Sequence, residues 1–301
     1  MRVTNVLRRD ETIRQIQDNL ARLSELQRQI ATGKRFTRAE EDPVAATQVI
    51  QVHHTSRALA QYSKNATAVQ VRLGAEEAVV KQEEEILRQA RDLALSFGKG
   101  DPPYTSEQTS QRLVATDQLN RFLDEAISLG NTQIGNEYIL AGDQSTTPPF
   151  DPTVGATQGN YQGGTQARRI EVTDGVFVTA NHTGDQFVGP AIAALKALRD
   201  AVDPANNQTE AQVQTAVGTA LNAGQDLSLS LAQTGTAGSQ VVSILKSHAI
   251  YGNDLENLRS SLEDVSIEEA VAKSLSLQTT IAASYSATSR LLGLTLSDYL
   301  R

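Results

Sequence analysis

Cysteine and tryptophan are both absent from this chain of 301 residues. Without cysteine there are no disulfides, no thiolate metal sites and no cysteine nucleophile. Aromatic residues make up only 4% of the sequence and hydrophobic residues 39%, a low share for a globular protein. So few large side chains predict long helices packed side by side through Leu, Ile, Val and Ala, rather than a thick globular core.

Two kinds of segment are also missing. No apolar run approaches the length that spans a membrane. The first residues lack the apolar stretch of a cleavable secretory signal. A net charge of −8 disfavours nucleic acid and anionic membranes as partners. We therefore expect a soluble protein that, if it leaves the cell, uses a route without a removable signal.

The sequence also lacks motifs for catalysis or metal binding. His53 and His54 are adjacent and point to different sides of a helix, so they do not share one metal, and no His-Glu-x-x-His occurs. Gly33 and Lys34 lack the earlier glycine of a phosphate-binding loop, because position 28 is Arg. We expect no enzyme, no cofactor and no metal.

Helical periodicity is the main feature that is present. Residues 4–32 and 267–299 repeat apolar side chains at alternating spacings of three and four, the pattern of a coiled-coil seam. In the second segment the predicted seam is at positions 271, 275, 278, 282, 285, 289, 292, 296 and 299. Residues 43–98 contain no proline and predict one very long helix. Capping signals predict further helices at 105–129 and from Asn207 towards residue 265. Glycines at 235 and 238 leave the continuity of that last helix open.

The amino-acid composition changes between residues 136 and 190, which are rich in Gly, Pro and Thr. We predict a short strand at 138–142. Strands at 169–173 and 176–179 flank Asp174-Gly175, a strong hairpin signal. Helix returns at 191–201, so a small β-rich domain is predicted as an insertion into a helical protein.

The predicted fold class is therefore mainly α, a long-helix rod with a terminal-helix coiled coil and a small inserted β-rich domain. The predicted domains are a terminal coiled-coil assembly domain, 1–42 with 266–301; a helical rod domain, 43–135 with 205–265; and the inserted β-rich outer domain, 136–204.

The two ends of the chain differ in charge. Residues 1–36 contain eight Lys/Arg and four Asp/Glu, whereas residues 253–301 contain four Lys/Arg and seven Asp/Glu. Charge attraction therefore adds to apolar burial if the ends pair. The pair could satisfy itself within one chain or also assemble with further copies, and helical spacing alone does not separate these readings. The candidate assembly residues are Ile13, Ile16, Leu20, Leu23 and Ile30 against Leu275, Leu292 and Leu296.

A charged stretch at 32–46 separates the first two helices. Gly33 is suited to end the first helix with a positive φ, and Lys34 and Arg35 lie at its negative end. Asp42 followed by Pro43 predicts a helix start, because the carboxylate accepts an unpaired N–H and proline fits the first helical position. Read by physics alone, this is a charged loop between helices.

The amino-acid sequence of residues 32–46 resembles the N-terminal signature of the flagellin superfamily. Asp-Pro-Val-Ala-Ala at 42–46 is similar to hook-associated members of that superfamily, whereas flagellin itself tends to have Asp-Ala-Ala-Gly. Three later segments are similar to the same members in order and spacing: 138–150, 161–163 and 294–300. One departure is 234–240, where the family usually has an Arg-flanked segment.

The resemblance implies a structural subunit of the bacterial flagellum. It implies export through the flagellar type III apparatus without a cleaved signal peptide, and an extracellular position at the hook–filament junction. The implied partners are further copies in a ring, hook-associated protein 1, flagellin and an export chaperone. Gly33, Lys34, Arg35, Asp42 and Pro43 would be the family motif. Two alternatives remain: a short flagellin that forms the filament, and a cytoplasmic coiled-coil scaffold.

Overall fold

The computed structural model describes the backbone of residues 2–299 and the side chains of residues 10–289. Its helices are α1 (Arg2–Thr32), α2 (Pro43–Phe97), α3 (Ser106–Gly130), α4 (Gly184–Phe187), α5 (Gly189–Val202), α6 (Glu210–Glu263) and α7 (Ile267–Tyr299), with a 3-10 turn at Pro204–Asn206. Strand β1 (Gln133–Ile134) pairs with β2 (Glu137–Tyr138), and β3 (Arg169–Thr173) pairs with β4 (Val176–Thr179), both antiparallel. The predicted fold class, mainly α with a small β-containing region, is confirmed.

Contacts divide the chain into two compact units. We call residues 1–57 with 251–301 the terminal unit, and residues 58–250 the central unit. The three-domain division made from the sequence stays a prediction.

Capping side chains start α2 and α3 where the sequence places them. Thr105 and Gln108 form the reciprocal capping box of α3. The Asp42 carboxylate accepts the N–H of Ala45 at 3.0 Å, and Pro43 is the first residue of α2. Short polar side chains thus fix both helix starts.

The start of α6 lies two residues later than predicted. Thr209 and Gln212, rather than Asn207 and Glu210, exchange the capping bonds, at 2.7 and 3.3 Å. Asn207 instead takes a left-handed φ of 47° at the end of the 3-10 turn, a conformation that Asn tolerates well. From Glu210 the helix runs without interruption through 234–240.

The central unit has its own apolar core. Segments of α2, α3, α5 and α6 share one large cluster, and Phe150 from the loop before β3 is fully buried in it. A second, smaller cluster packs α2 and α6 against the β3–β4 hairpin; its members are Ala66, Val69, Leu73, Val172, Val178, Ala180 and Val241. Two buried clusters give this unit the interior of an independent domain.

The β-containing region is less regular than predicted. The hairpin at Asp174-Gly175 is confirmed, with Gly175 at a φ of 70°. The strand predicted at 138–142 is wrong beyond Tyr138, because β2 ends there. The next residues are buried and bond to the segment before α4: Ala141 bridges Thr183. Burial, not strand pairing, explains the apolar run.

Candidate assembly site

In the terminal unit α1 packs against α7, so the predicted pairing of the two chain ends is confirmed. An antiparallel bridge joins Lys34, just after α1, to Asp264, just before α7. The C-terminal end of α1 therefore lies beside the N-terminal end of α7, and the two helices run in opposite directions.

One row of side chains on each helix is buried in this contact. On α1, Ile16 is buried and its row continues with half-buried residues at spacings of three and four: Thr12, Asn19, Leu23, Leu26 and Ile30. On α7, Ala270, Ser274 and Ile281 are buried, and Leu277, Ser284 and Thr288 are half-buried. The alternating spacing is that of a coiled-coil seam, and the small residues on α7 permit close approach.

A second apolar row lies one residue further along each helix and is exposed. On α1, Ile13 and Leu20 are each 41% exposed. On α7, Val271, Leu275 and Tyr285 are 39%, 59% and 53% exposed. One residue corresponds to a rotation of about 100°, so these side chains flank the buried seam. We call these five residues the outer row.

The predicted assembly residues fall into three groups. Ile16 is buried in the seam, and Leu23 and Ile30 are half-buried there. Ile13, Leu20 and Leu275 belong to the outer row. The side chains of Leu292 and Leu296 lie outside the described residues. The seam of α7 predicted at 271, 275, 278, 282 and 285 is thus displaced by one residue from the row that α1 buries.

The part of α7 that carries Leu275 and Tyr285 has no charged residue. Residues 274–289 contain no Asp, Glu, Lys or Arg, although they form more than four helical turns. A helix that remains in water usually places charged residues on its solvent face. This part of α7 therefore has the composition of a helix that is covered on more than one side.

Backbone hydrogen bonds connect residues 33–35 to residues 263–265, and we call this connection the joint. Gly33 ends α1 with a φ of 69°, as predicted from its freedom to adopt positive φ. Its carbonyl accepts the N–H of Val265 at 3.0 Å, and the N–H of Arg35 donates to the carbonyl of Glu263 at 2.7 Å. These two bonds make the bridge around Lys34 and Asp264, and they join residues from opposite ends of the sequence.

Ion pairs surround the bridge. Lys34 pairs with Glu263, and Arg259 pairs with Glu263 at 3.0 Å and with Asp264 at 2.9 Å. Burial opposes ionisation of Glu263, but hydrogen bonds from Lys34 and Arg259 prevail and lower the pKa of its carboxyl. A hydrogen bond from Arg259 likewise lowers the pKa of Asp264. Both carboxylates are therefore held in the charged form that the joint requires.

Phe36, one residue after the joint, is buried against the start of α2. Its ring is buried against Ala45, Ala46 and Val49 at the start of α2, with Leu262 of α6 packed beside them. Nearby, Arg35 pairs with Asp42 at 3.1 Å. The sequence reasoning identified Arg35 and Asp42 but missed Phe36 and the acidic end of α6. An aromatic residue in a charged loop was the available signal for Phe36.

Other kinds of site have no support among the described residues. Their His, Asp and Glu side chains form no group of three or more that could hold a metal ion. Within the same part of the chain, no helix combines the length and apolarity needed to cross a membrane. The paired terminal helices and their joint are therefore the candidate functional site.

The first comparison is with models of protein families. Residues 4–145, which include nearly all of α1, the loop at 33–42, α2 and α3, match the family model for the bacterial flagellin N-terminal helical region. This match agrees with the resemblance seen at Gly33–Arg35 and at Asp42 and Pro43.

Two curated relatives show which members of the flagellin superfamily this chain resembles. Over 188 residues the chain is 28% identical to flagellar hook-associated protein 3 of Salmonella typhimurium and 27% identical to that of Escherichia coli. Each match covers 62% of this chain and 56% of the relative, so it spans little more than half of the relatives' length. The predicted resemblance to hook-associated protein 3 within the flagellin superfamily is confirmed.

Solved structures show the same fold. A proposed flagellar hook-associated protein from Vibrio parahaemolyticus aligns with a TM-score of 0.65 at 17% identity, covering 74% of this chain and 100% of that one. FlgL from Bacillus cereus aligns with a TM-score of 0.50 at 18% identity, covering 72% and 99%. At this identity the likeness concerns the fold alone.

Proposed function

We propose that this chain is a structural subunit of the bacterial flagellum that joins hook-associated protein 1 to the flagellin filament. The observation that carries the proposal is the outer row beside the α1–α7 seam. The names of the relatives and the flagellin-type N-terminal region support the flagellar setting. The role of the subunit is mechanical and not catalytic.

In this proposal the outer row is covered by neighbouring copies. About half of each outer-row side chain is left in water by a single chain. Because complete burial of a large apolar side chain is worth about 1.5–3 kcal/mol, covering the exposed part of one of them is worth roughly 1 kcal/mol. Because α1 and α7 are antiparallel, the positions that follow their buried rows lie on the same side of the pair. Further pairs can then stack side by side into a ring.

The remaining parts of the proposal follow from the same resemblance. Copies leave the cell through the flagellar type III apparatus with the help of an export chaperone. They assemble outside the cell between hook-associated protein 1 and flagellin.

A deletion strain tests the proposed location. Electron microscopy should show hooks without attached filaments, because the filament lacks its adaptor. Thousands of copies along each filament would instead favour a short flagellin. Protein found only in the cytoplasm, together with normal flagella in the deletion strain, would favour a coiled-coil scaffold and contradict the proposal.

Substitutions in α7 test the assembly surface. Leu275→Asp places a charge in the outer row, so we expect hooks without filaments while the free energy of unfolding of the monomer stays within about 0.5 kcal/mol of wild type. Ile281→Asp is the matched contrast: it places the charge in the buried seam and should destabilise the terminal unit itself. Chemical denaturation and microscopy of the complemented strain provide the two measurements. Normal filaments with Leu275→Asp would rule out the outer row as an assembly surface.

A further inference from the structure

Glu83 lies inside the core of the central unit. Its side chain is 0% exposed, and among the described residues neither carboxylate oxygen has a hydrogen-bond partner. The residues one turn away on α2 are all apolar and all buried in the same cluster: Val79, Val80, Ile86 and Leu87. A buried carboxylate without a partner is strongly unfavourable, whereas the neutral acid is tolerated.

The cations of α2 near this position are already occupied. Lys81 pairs with Glu77 at 2.6 Å, and Arg88 pairs with Glu85 at 2.5 Å. Neither donates a hydrogen bond to the buried carboxyl. The helix that carries the acid therefore supplies no compensating charge.

The other helices of the core do not supply one either. On α3, Glu125 acts on Glu83 as a like charge, Arg121 is exposed, and Asp124 accepts a hydrogen bond from Gln158 at 2.7 Å. On α6, residues 227–245 contain no Asp, Glu, Lys or Arg. The charged residues of α5 bond elsewhere: Lys196 to the Ala156 carbonyl, and Arg199 and Asp200 to each other.

We propose that Glu83 is a proton-operated lock on the packing of α2 in the central unit. The core holds this side chain as a neutral carboxylic acid, and loss of its proton at alkaline pH loosens α2 from α3 and α6. The proposal is independent of the flagellar role, because it concerns residues 58–250 alone.

The direction of the pH effect follows from linkage. Burial and the like charge of Glu125 raise the pKa of the Glu83 carboxyl well above its ordinary value in the folded chain. The stability that depends on the proton is therefore fully present at acid pH, below the ordinary pKa. It is lost as the pH rises through the raised pKa. Each unit of pKa difference changes the opening equilibrium by a factor of ten.

Amide hydrogen exchange on the full chain at low concentration tests the lock. Opening constants for amides of α3, corrected for the intrinsic pH dependence of exchange, are compared between pH 5 and pH 9. For wild type we expect a rise of at least about tenfold. Glu83→Gln keeps the shape and removes the charge, so its opening constants should stay constant over this range. Glu84→Gln, the half-buried neighbour, is the matched control and should behave like wild type.

Two results would overturn the lock. One is a wild-type profile that does not change with pH, and the other is a Glu83→Gln profile that rises as steeply as wild type. If Glu83→Gln does not fold, titration of the 13C-labelled Glu83 carboxyl in the wild-type chain decides the question by itself. A midpoint in the ordinary range of Glu contradicts the proposal, and a raised midpoint that falls in Glu125→Gln supports it.

Discussion

Arg112 is buried in the central unit, and no carboxylate among the described residues pairs with its positive charge. Its guanidinium donates to the carbonyls of Lys99 and Gly100 after α2, at 3.4 and 3.3 Å, and to that of Val202 at the end of α5, at 3.3 Å. The ring of Tyr104 lies 4.1 Å from the same group. Carbonyls at helix C-terminal ends carry partial negative charge, and aromatic faces attract cations. Because these partners are backbone atoms and a ring face, no pairing of charges in the sequence pointed to them.

His248 of α6 is a second buried group. Its Nε2 lies 2.9 Å from the hydroxyl of Thr173, which itself donates to the carbonyl of Val172. That hydroxyl must therefore accept from Nε2–H, so Nδ1 is the acceptor for the hydroxyl of Ser63 at 3.1 Å. A neutral imidazole thus ties the β3–β4 hairpin to α2 and α6.

Acid should weaken this tie. Burial lowers the pKa of His248 in the folded chain, so its contribution is present above the ordinary pKa of His and is lost as the pH falls through the lowered value. We expect hairpin amides to exchange faster as the pH falls from 7 to 5, after correction for intrinsic rates. His248→Gln should remove this trend, and the exposed His54→Gln should not. A hairpin whose protection is the same at both pH values would contradict the assignment.

At the scale of elements, the joint shows how local signals and distant contacts combine. Gly33, Asp42 and Pro43 act locally, and their roles were predictable from helix-terminus chemistry. The hydrogen bonds from Val265 to Gly33 and from Arg35 to Glu263 connect positions more than 200 residues apart, and no local pattern specified them.

Substitutions of glycine separate backbone strain from lost space. At Gly33 an added Cβ meets no atom within 4 Å, so Gly33→Ala should lower the free energy of unfolding only through its φ of 69°, by about 1–2 kcal/mol. Gly33→Asn should lose less, because Asn tolerates this conformation. Gly74→Ala, in the interior of α2 and equally open, should stabilise by about 1 kcal/mol. Equal losses for Ala and Asn at position 33 would show that strain is not the cause.

The two rows on α7 explain why its seam was misplaced by one residue. Ala270, Ser274 and Ile281 repeat with the same spacing as Val271 and Leu275, so periodicity could not choose between them. The sequence favours the row with larger side chains, whereas close contact with α1 selects the row with smaller ones.

At the scale of the whole molecule, prediction succeeded where signals are long and repeated. The bounds of α2, predicted as 43–98, and of α7, predicted from 267 to 299, are Pro43–Phe97 and Ile267–Tyr299. It failed between residues 138 and 142, where single buried contacts decide the backbone. Candidate assembly residues could be chosen by spacing, but exposure alone separates seam from outer row.

Removal of residues 267–301 tests the independence of the two units. The central unit keeps both of its buried clusters, so its thermal transition should remain cooperative and close to that of the full chain. The terminal unit loses the partner of α1, and assembly should stop. Circular dichroism and microscopy of the strain provide the measurements. Normal filaments would contradict the role given to α7, and loss of the central transition would contradict the independence of that unit.

The bridge between Lys34 and Asp264 also sets the phase of the terminal helices. Two backbone hydrogen bonds fix the rotation of α1 about its axis relative to α7 at the end where the two helices meet. Inserting one residue between Ile30 and Gly33 would turn every side chain of α1 by about 100° about its axis. The seam would then face outward. Exchange of a side chain therefore leaves the seam in place, whereas a change in the number of residues between the bridge and the seam does not.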